Sequence, residues 1–124
     1  RVLFRSLADL HDCTPAALDD QELITAAMLE AARRCGATIV AHCFHRFSPH
    51  GISGVVVIAE SHLSIHTWPE RGFAAVDLFT CGTSLRAEAG LDYLAQVLGC
   101  QRRHERTLLR GEEAGGDGAP RGRT

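Results

Sequence analysis

The chain has 124 residues and a formal charge of −2, from 13 Lys and Arg against 15 Asp and Glu. That length suits one compact domain with a modest core, and the charge balance gives no reason to expect nucleic acid or an anionic membrane surface as a partner. No apolar stretch approaches the ~20 residues needed to cross a bilayer, and no basic-then-apolar signal segment opens the chain.

From Arg1 to about Leu10 the sequence reads weakly as a strand. Thr14-Pro15 is a helix start, with a hydroxyl cap and Pro at the first helical position. After Asp19 and Asp20, the residues Ile24, Ala27, Met28, Ala31 and Cys35 recur at helical spacing, and Gly36 is a natural stop. Ala37 to Phe47 reads as a strand, with a turn at Pro49-His50-Gly51. Ile52 to Ala59 is a second strand, interrupted by Gly54. Phe73 to Thr80 is another, preceded by a turn at Arg71-Gly72. Leu85 to Leu98 forms a second amphipathic helix with the stripe Leu91, Leu94 and Leu98, ended by Gly99. Gln101 to Arg110 reads as a last strand. Residues 111–124 are rich in glycine and almost free of apolar side chains, which predicts a disordered tail behind a single domain of residues 1–110. Short connections favour antiparallel pairing. The expected fold is therefore an α+β two-layer sandwich, a mainly antiparallel sheet with both helices on one face. The bare face of that sheet needs cover, and a partner subunit would supply it.

Chemistry concentrates in Glu60-Ser61-His62-Leu63-Ser64-Ile65-His66-Thr67-Trp68-Pro69-Glu70. Two hydroxylated serines, two imidazoles, a tryptophan and two flanking carboxylates follow directly on the apolar run Val55-Val56-Val57-Ile58. Such groups beside a buried strand are costly unless paired or used. On a strand, His62, Ser64 and His66 share one face. His42, Cys43, His45, His62 and His66 match no metalloprotease spacing, since Leu63 rather than Glu follows His62, and no metal is expected. A hydrolase triad lacks its G-x-S-x-G elbow. The five cysteines, Cys13, Cys35, Cys43, Cys81 and Cys100, show no CxxC spacing and are read as free thiols in a reducing cytoplasm. Cys81, at a strand end beside Gly82, is either a small buried residue or a reactive group presented at a cleft. Trp68 and Phe47 are either core or flat platforms for a ring-bearing ligand.

The long central motif, together with Asp77-Leu78-Phe79-Thr80-Cys81-Gly82, Phe44-His45-Arg46-Phe47 and Gly51-Ile52-Ser53-Gly54-Val55-Val56-Val57, resembles the prokaryotic S-adenosylmethionine decarboxylase proenzymes over roughly residues 7–100. The resemblance implies a cytoplasmic pyruvoyl enzyme made by autocatalytic cleavage between Glu60 and Ser61. Ser61 Oγ would attack the Glu60 carbonyl carbon and turn the amide into an ester. Elimination would release the Glu60 carboxylate and leave dehydroalanine, and loss of ammonia would leave a pyruvoyl group at the head of the C-terminal piece. His66 is implied as the processing acid/base and Ser53 as a second processing residue. The pyruvoyl ketone would take the substrate amine as a Schiff base and accept electrons from the departing carboxylate. Cys81 is implied as the proton donor, Phe47 and Trp68 as flanks of the adenine ring, and Glu70 as a holder of the ribose hydroxyls. The family further implies homodimers with sites near the subunit interface, and a product that feeds spermidine synthesis. Two other readings stay open. One is the same pyruvoyl chemistry on ornithine or arginine. The other is an unprocessed, inactive paralogue acting as a partner subunit.

Overall fold

The structure, a computed structural model, describes residues 3–81 and 86–111, with Cys81 described by its backbone alone. Six strands and three helices follow in the order β1 (Leu3–His11), α1 (Pro15–Leu18), α2 (Gln21–Arg34), β2 (Ile39–Arg46), β3 (Ile52–Ile58), β4 (Ser61–Trp68), β5 (Phe73–Cys81), α3 (Ala87–Val97) and β6 (Arg102–Arg110). A single 3-10 turn, Pro69–Arg71, joins β4 to β5. All neighbouring strands are antiparallel, in the sheet order β2-β3-β4-β5-β1-β6. The expected α+β two-layer sandwich is the observed fold. The predicted tail beyond Gly111, and the predicted helix start at Leu85, lie outside the described residues.

The core lies between the sheet and α2 with α3. Ile24, Met28 and Ala31 of α2 and Leu91 and Leu94 of α3 are buried against Leu10, Ile52, Val56, Leu63, Ile65, Val76 and Leu78 of the sheet. Each large aliphatic side chain buried in this way contributes about 1.5–3 kcal/mol of transfer free energy. Gly90 sits where the two helices meet; a Cβ there would lie 2.4 Å from Cys35 Sγ and 2.8 Å from the Ala31 carbonyl oxygen. Gly54 has a similar reason to be glycine. A Cβ on it would come within 1.9 Å of the Phe44 ring, which lies across β3 from the neighbouring strand.

The first helical stretch departs from expectation. Thr14 makes no capping hydrogen bond and the helix it opens is one turn long. The backbone breaks at Asp19 and restarts at Asp20, whose carboxylate accepts from Leu23 N at 3.1 Å as the cap of α2. Tertiary bonds hold this break. Asp19 accepts from Arg46 Nη2 at 2.7 Å and from Gly51 N at 2.9 Å. Thr67 Oγ1 donates to the Leu18 carbonyl at 2.8 Å and accepts from Ile52 N at 2.9 Å. These bonds fasten the α1–α2 junction to one end of β3 and β4.

Candidate active site

The reactive motif is itself the strand β4, and its alternation is strict. Leu63, Ile65 and Thr67 are buried on the helix side, while His62, Ser64, His66 and Trp68 belong to the bare face. Ser53 of β3 lies directly opposite His66. Ser53 Oγ and His66 Nδ1 are 2.8 Å apart, a hydrogen bond whose direction follows the imidazole tautomer. Beside them opens a cleft of about 200 Å³ whose lining includes Phe47, His50, Ser53, His66, Trp68 and Glu70. Phe47 and Trp68 are 46% and 37% exposed, so both rings are available as platforms rather than spent in the core. Trp68 lies against Phe73 at 5.4 Å between centroids with the rings tilted by 31°, and Phe47 meets His45 edge-on at 4.5 Å. Glu70 Oε1 is 3.1 Å from His50 Nδ1.

Ser61 belongs to the other end of β4. Ile58 pairs with Ser61, so Ala59 and Glu60 alone form the turn between β3 and β4. Glu60 has φ of +69°, in the left-handed region that a non-glycine residue seldom occupies. Ser61 Oγ is buried and has no hydrogen-bond partner among the described residues. Extending the β4–β5 register from His62 opposite Phe79 sets the backbone of Cys81 opposite Glu60, at this same end. Cys81 also pairs with Leu3 of β1.

The candidate residues therefore form two groups. Ser53, His66, Phe47, Trp68 and Glu70 share the cleft, whereas Glu60, Ser61 and position 81 occupy the opposite end of the sheet. Five residue steps of extended strand lead from Ser61 to His66, which is ~17 Å at about 3.4 Å per step. Within one chain the imidazole does not reach the hydroxyl. His42 and Cys43 are adjacent residues of β2 and so take opposite faces, and no group of three or more His, Cys, Asp or Glu residues among those described could hold a metal ion.

Residues 5–111 match the family described as S-adenosylmethionine decarboxylase. A proenzyme of that name from Acidithiobacillus ferrooxidans is 50% identical over 106 residues, which is 86% of this chain and 80% of the relative. One from Thermosipho melanesiensis is 53% identical over 106 residues, covering 86% and 82%. The crystal structure of the adenosylmethionine decarboxylase from Aquifex aeolicus superposes with a TM-score of 0.83 at 36% identity, covering 90% of this chain and 92% of that one. The chain belongs to the S-adenosylmethionine decarboxylase family.

Beside the candidate residues, the structure places others that the sequence did not mark. His50, the partner of Glu70, lies in a Pro-His-Gly turn where its type gives no signal. Thr67 and Asp19 support the cleft from behind. Thr67 carried a usable sign, being a polar residue in register with Leu63 and Ile65 on the helix side of β4. Asp19 carried none, because its partners Arg46 and Gly51 are far along the chain.

Proposed function

We propose that this chain cleaves itself between Glu60 and Ser61, keeps a pyruvoyl group derived from Ser61, and decarboxylates S-adenosylmethionine to S-adenosylmethioninamine and carbon dioxide. The observation that carries the reading is the state of Ser61. Its hydroxyl is buried without a partner among the described residues, at the foot of a two-residue turn and directly after the peptide carbonyl it would attack. A buried hydroxyl left unpaired is costly and is kept for a use. Conversion to a ketone removes the hydroxyl whose hydrogen is left without an acceptor, so the site fits the group. When present, a pyruvoyl group accepts the electron pair released as the substrate carboxylate departs.

The remaining residues take roles that their positions allow. Phe47 and Trp68, exposed across the cleft, would hold the adenine ring between them, and Glu70 would accept from the ribose hydroxyls. Ser53, hydrogen-bonded to His66, fixes the imidazole that exchanges the proton during cleavage. Cys81 is assigned the return of a proton to the substrate carbon, on the family resemblance and its backbone position beside the turn.

The ~17 Å between Ser61 and His66 along β4 favours a homodimer in which one subunit's Ser61 end meets the other's Ser53–His66 end. The bare sheet face, which carries Ser53 and His66, would supply one side of the contact and the Glu60–Ser61 turn the other. The relatives' names favour S-adenosylmethionine over ornithine or arginine as substrate, and an intact set of Ser53, Ser61, His66 and Cys81 argues against an inactive partner chain. Free Cys13, Cys35, Cys43 and Cys100, and the lack among the described residues of a helix long and apolar enough to cross a membrane, are in keeping with a cytoplasmic enzyme.

Mass spectrometry of the purified chain tests the cleavage: two fragments are expected, the C-terminal one with a blocked end, and Ser61→Ala should give one mass. Cleavage of Ser61→Ala at the same bond would sink the proposal. Mixing tests the shared site. Ser61→Ala and His66→Ala subunits, each uncleaved alone, should on co-refolding yield cleavage of the His66→Ala chain only. If the mixture stays whole, the two-subunit site is wrong while the Ser61 result stands.

A further inference from the structure

We propose that the backbone of Glu60 is a positioning device for self-cleavage: the uncleaved chain holds it in a strained left-handed turn, and moving the acyl group off the Ser61 nitrogen releases that strain. This deepens the self-processing reading above and rests on it. Relaxed two-residue hairpins use the primed turns, in which the first central residue has positive φ and is usually Gly, Asn or Asp. Here the turn is inverted. Ala59 is not in the positive region and Glu60 is, at +69°. An L-residue with a long side chain pays for that conformation through contact of its Cβ with the following carbonyl oxygen.

Both sides of the turn are pinned. Ala59 N donates to the Thr38 carbonyl at 2.8 Å, and β3 pairs with β4 without interruption from Ile58–Ser61 to Ser53–His66. Glu60 therefore cannot rotate into a relaxed well without breaking one of these. The strained residue is the acyl donor, and the buried Ser61 Oγ, without a partner among the described residues, is the next functional group along the chain. In the acyl shift the Oγ–C bond forms, the C–N bond breaks, and the hydroxyl proton ends on the freed Ser61 amine. The ester lengthens the link between Glu60 and β4, so the ladder no longer dictates the dihedrals of Glu60. Amide-to-ester exchange is uphill for a relaxed chain; strain present only in the amide lowers that climb.

Pulse-labelled chains made by cell-free translation, followed on reducing gels, give the cleavage rate of each variant. Glu60→Gly relaxes the turn and should cleave about tenfold more slowly than the parent, which corresponds to about 1.4 kcal/mol. Glu60→Gln keeps the strain and should cleave faster than Glu60→Gly, with Glu60→Asn between them because Asn tolerates the left-handed region. Thermal melts in the Ser61→Ala background separate strain from damage: adding Glu60→Gly should raise Tm by about 2–4 °C. Slower cleavage joined to higher stability is a pattern that a merely structural role does not give. Glu60→Gly cleaving as fast as the parent overturns the proposal. So does an unchanged or lowered Tm, or a Glu60→Gln chain as slow as Glu60→Gly. If the parent chain is never cleaved, the self-processing reading itself fails and this proposal falls with it.

Discussion

Thr67, which lines the cleft, shows how one buried hydroxyl can order the backbone beneath a site. Its Oγ1 accepts from Ile52 N and donates to the Leu18 carbonyl inside the core. Thr67→Val keeps the shape and strands both backbone groups, at a cost of about 1–3 kcal/mol. Urea unfolding of the Ser61→Ala chain measures this, and a loss well under the lower bound would mean that water replaces the hydroxyl. Cys13 is a second case. Burial, reinforced by the neighbouring Cys100 thiol, pushes its pKa up to about 12. It should resist alkylation at pH 8 while exposed Cys43 is labelled, as peptide mapping would show. The sequence alone separated neither pair of roles. It proposed Ser61 and His66 by their concentration and resemblance and Ser53 by resemblance alone, but ~17 Å of strand between two of them is a fact of register, visible only once β3, β4 and β5 are paired.

At the scale of elements, strand alternation was legible and tertiary breaks were not. Leu63, Ile65 and Thr67 against His62, Ser64 and His66 follow from period two alone. The stop between α1 and α2 does not follow from local propensity, because Arg46 and Gly51 hold Asp19 from 27 and 32 residues away. That bond set has a pH signature. The Arg46 hydrogen bond, then the Gly51 N–H, hold the Asp19 carboxyl below its usual pKa. A depressed folded-state pKa means stability that is present above the unfolded value near ~4 and lost as pH falls through the folded one. Melting curves of Ser61→Ala with and without Asp19→Asn should differ most near neutrality and converge in acid; a gap that does not narrow below pH ~4 contradicts this. Gly54 makes an equally direct demand on β2 and β3. Gly54→Ala drives a Cβ into the Phe44 ring and should cost about 1–3 kcal/mol. Adding Phe44→Leu should recover part of that loss, a non-additivity that a double-mutant cycle reads.

The whole molecule is a sheet dressed on one side. The α+β layering and both long helices on one face were readable from Ile24, Met28 and Ala31, from Leu91, Leu94 and Leu98, and from the strand pattern. The strand order was not, since it places β1 between β5 and β6 through contacts distant in sequence. That order governs what cleavage leaves behind. Cut at Glu60–Ser61, the chain becomes two pieces, one carrying β1, β2 and β3 and the other β4, β5 and β6. In space they alternate: β2 and β3, then β4 and β5, then β1, then β6. Three ladders, β3–β4, β5–β1 and β1–β6, are stitched across the cut, so there is no seam along which the pieces can part while folded. Parting them is unfolding. A protomer cleaved as proposed would be a heterodimer whose denaturation midpoint rises with concentration and whose refolding is second order, whereas each uncleaved protomer folds from a single chain. The proposed self-cleavage would thus exchange a protein that can regain its fold alone for one that must find its other half, and this change in molecularity would make the mature enzyme harder to recover once lost.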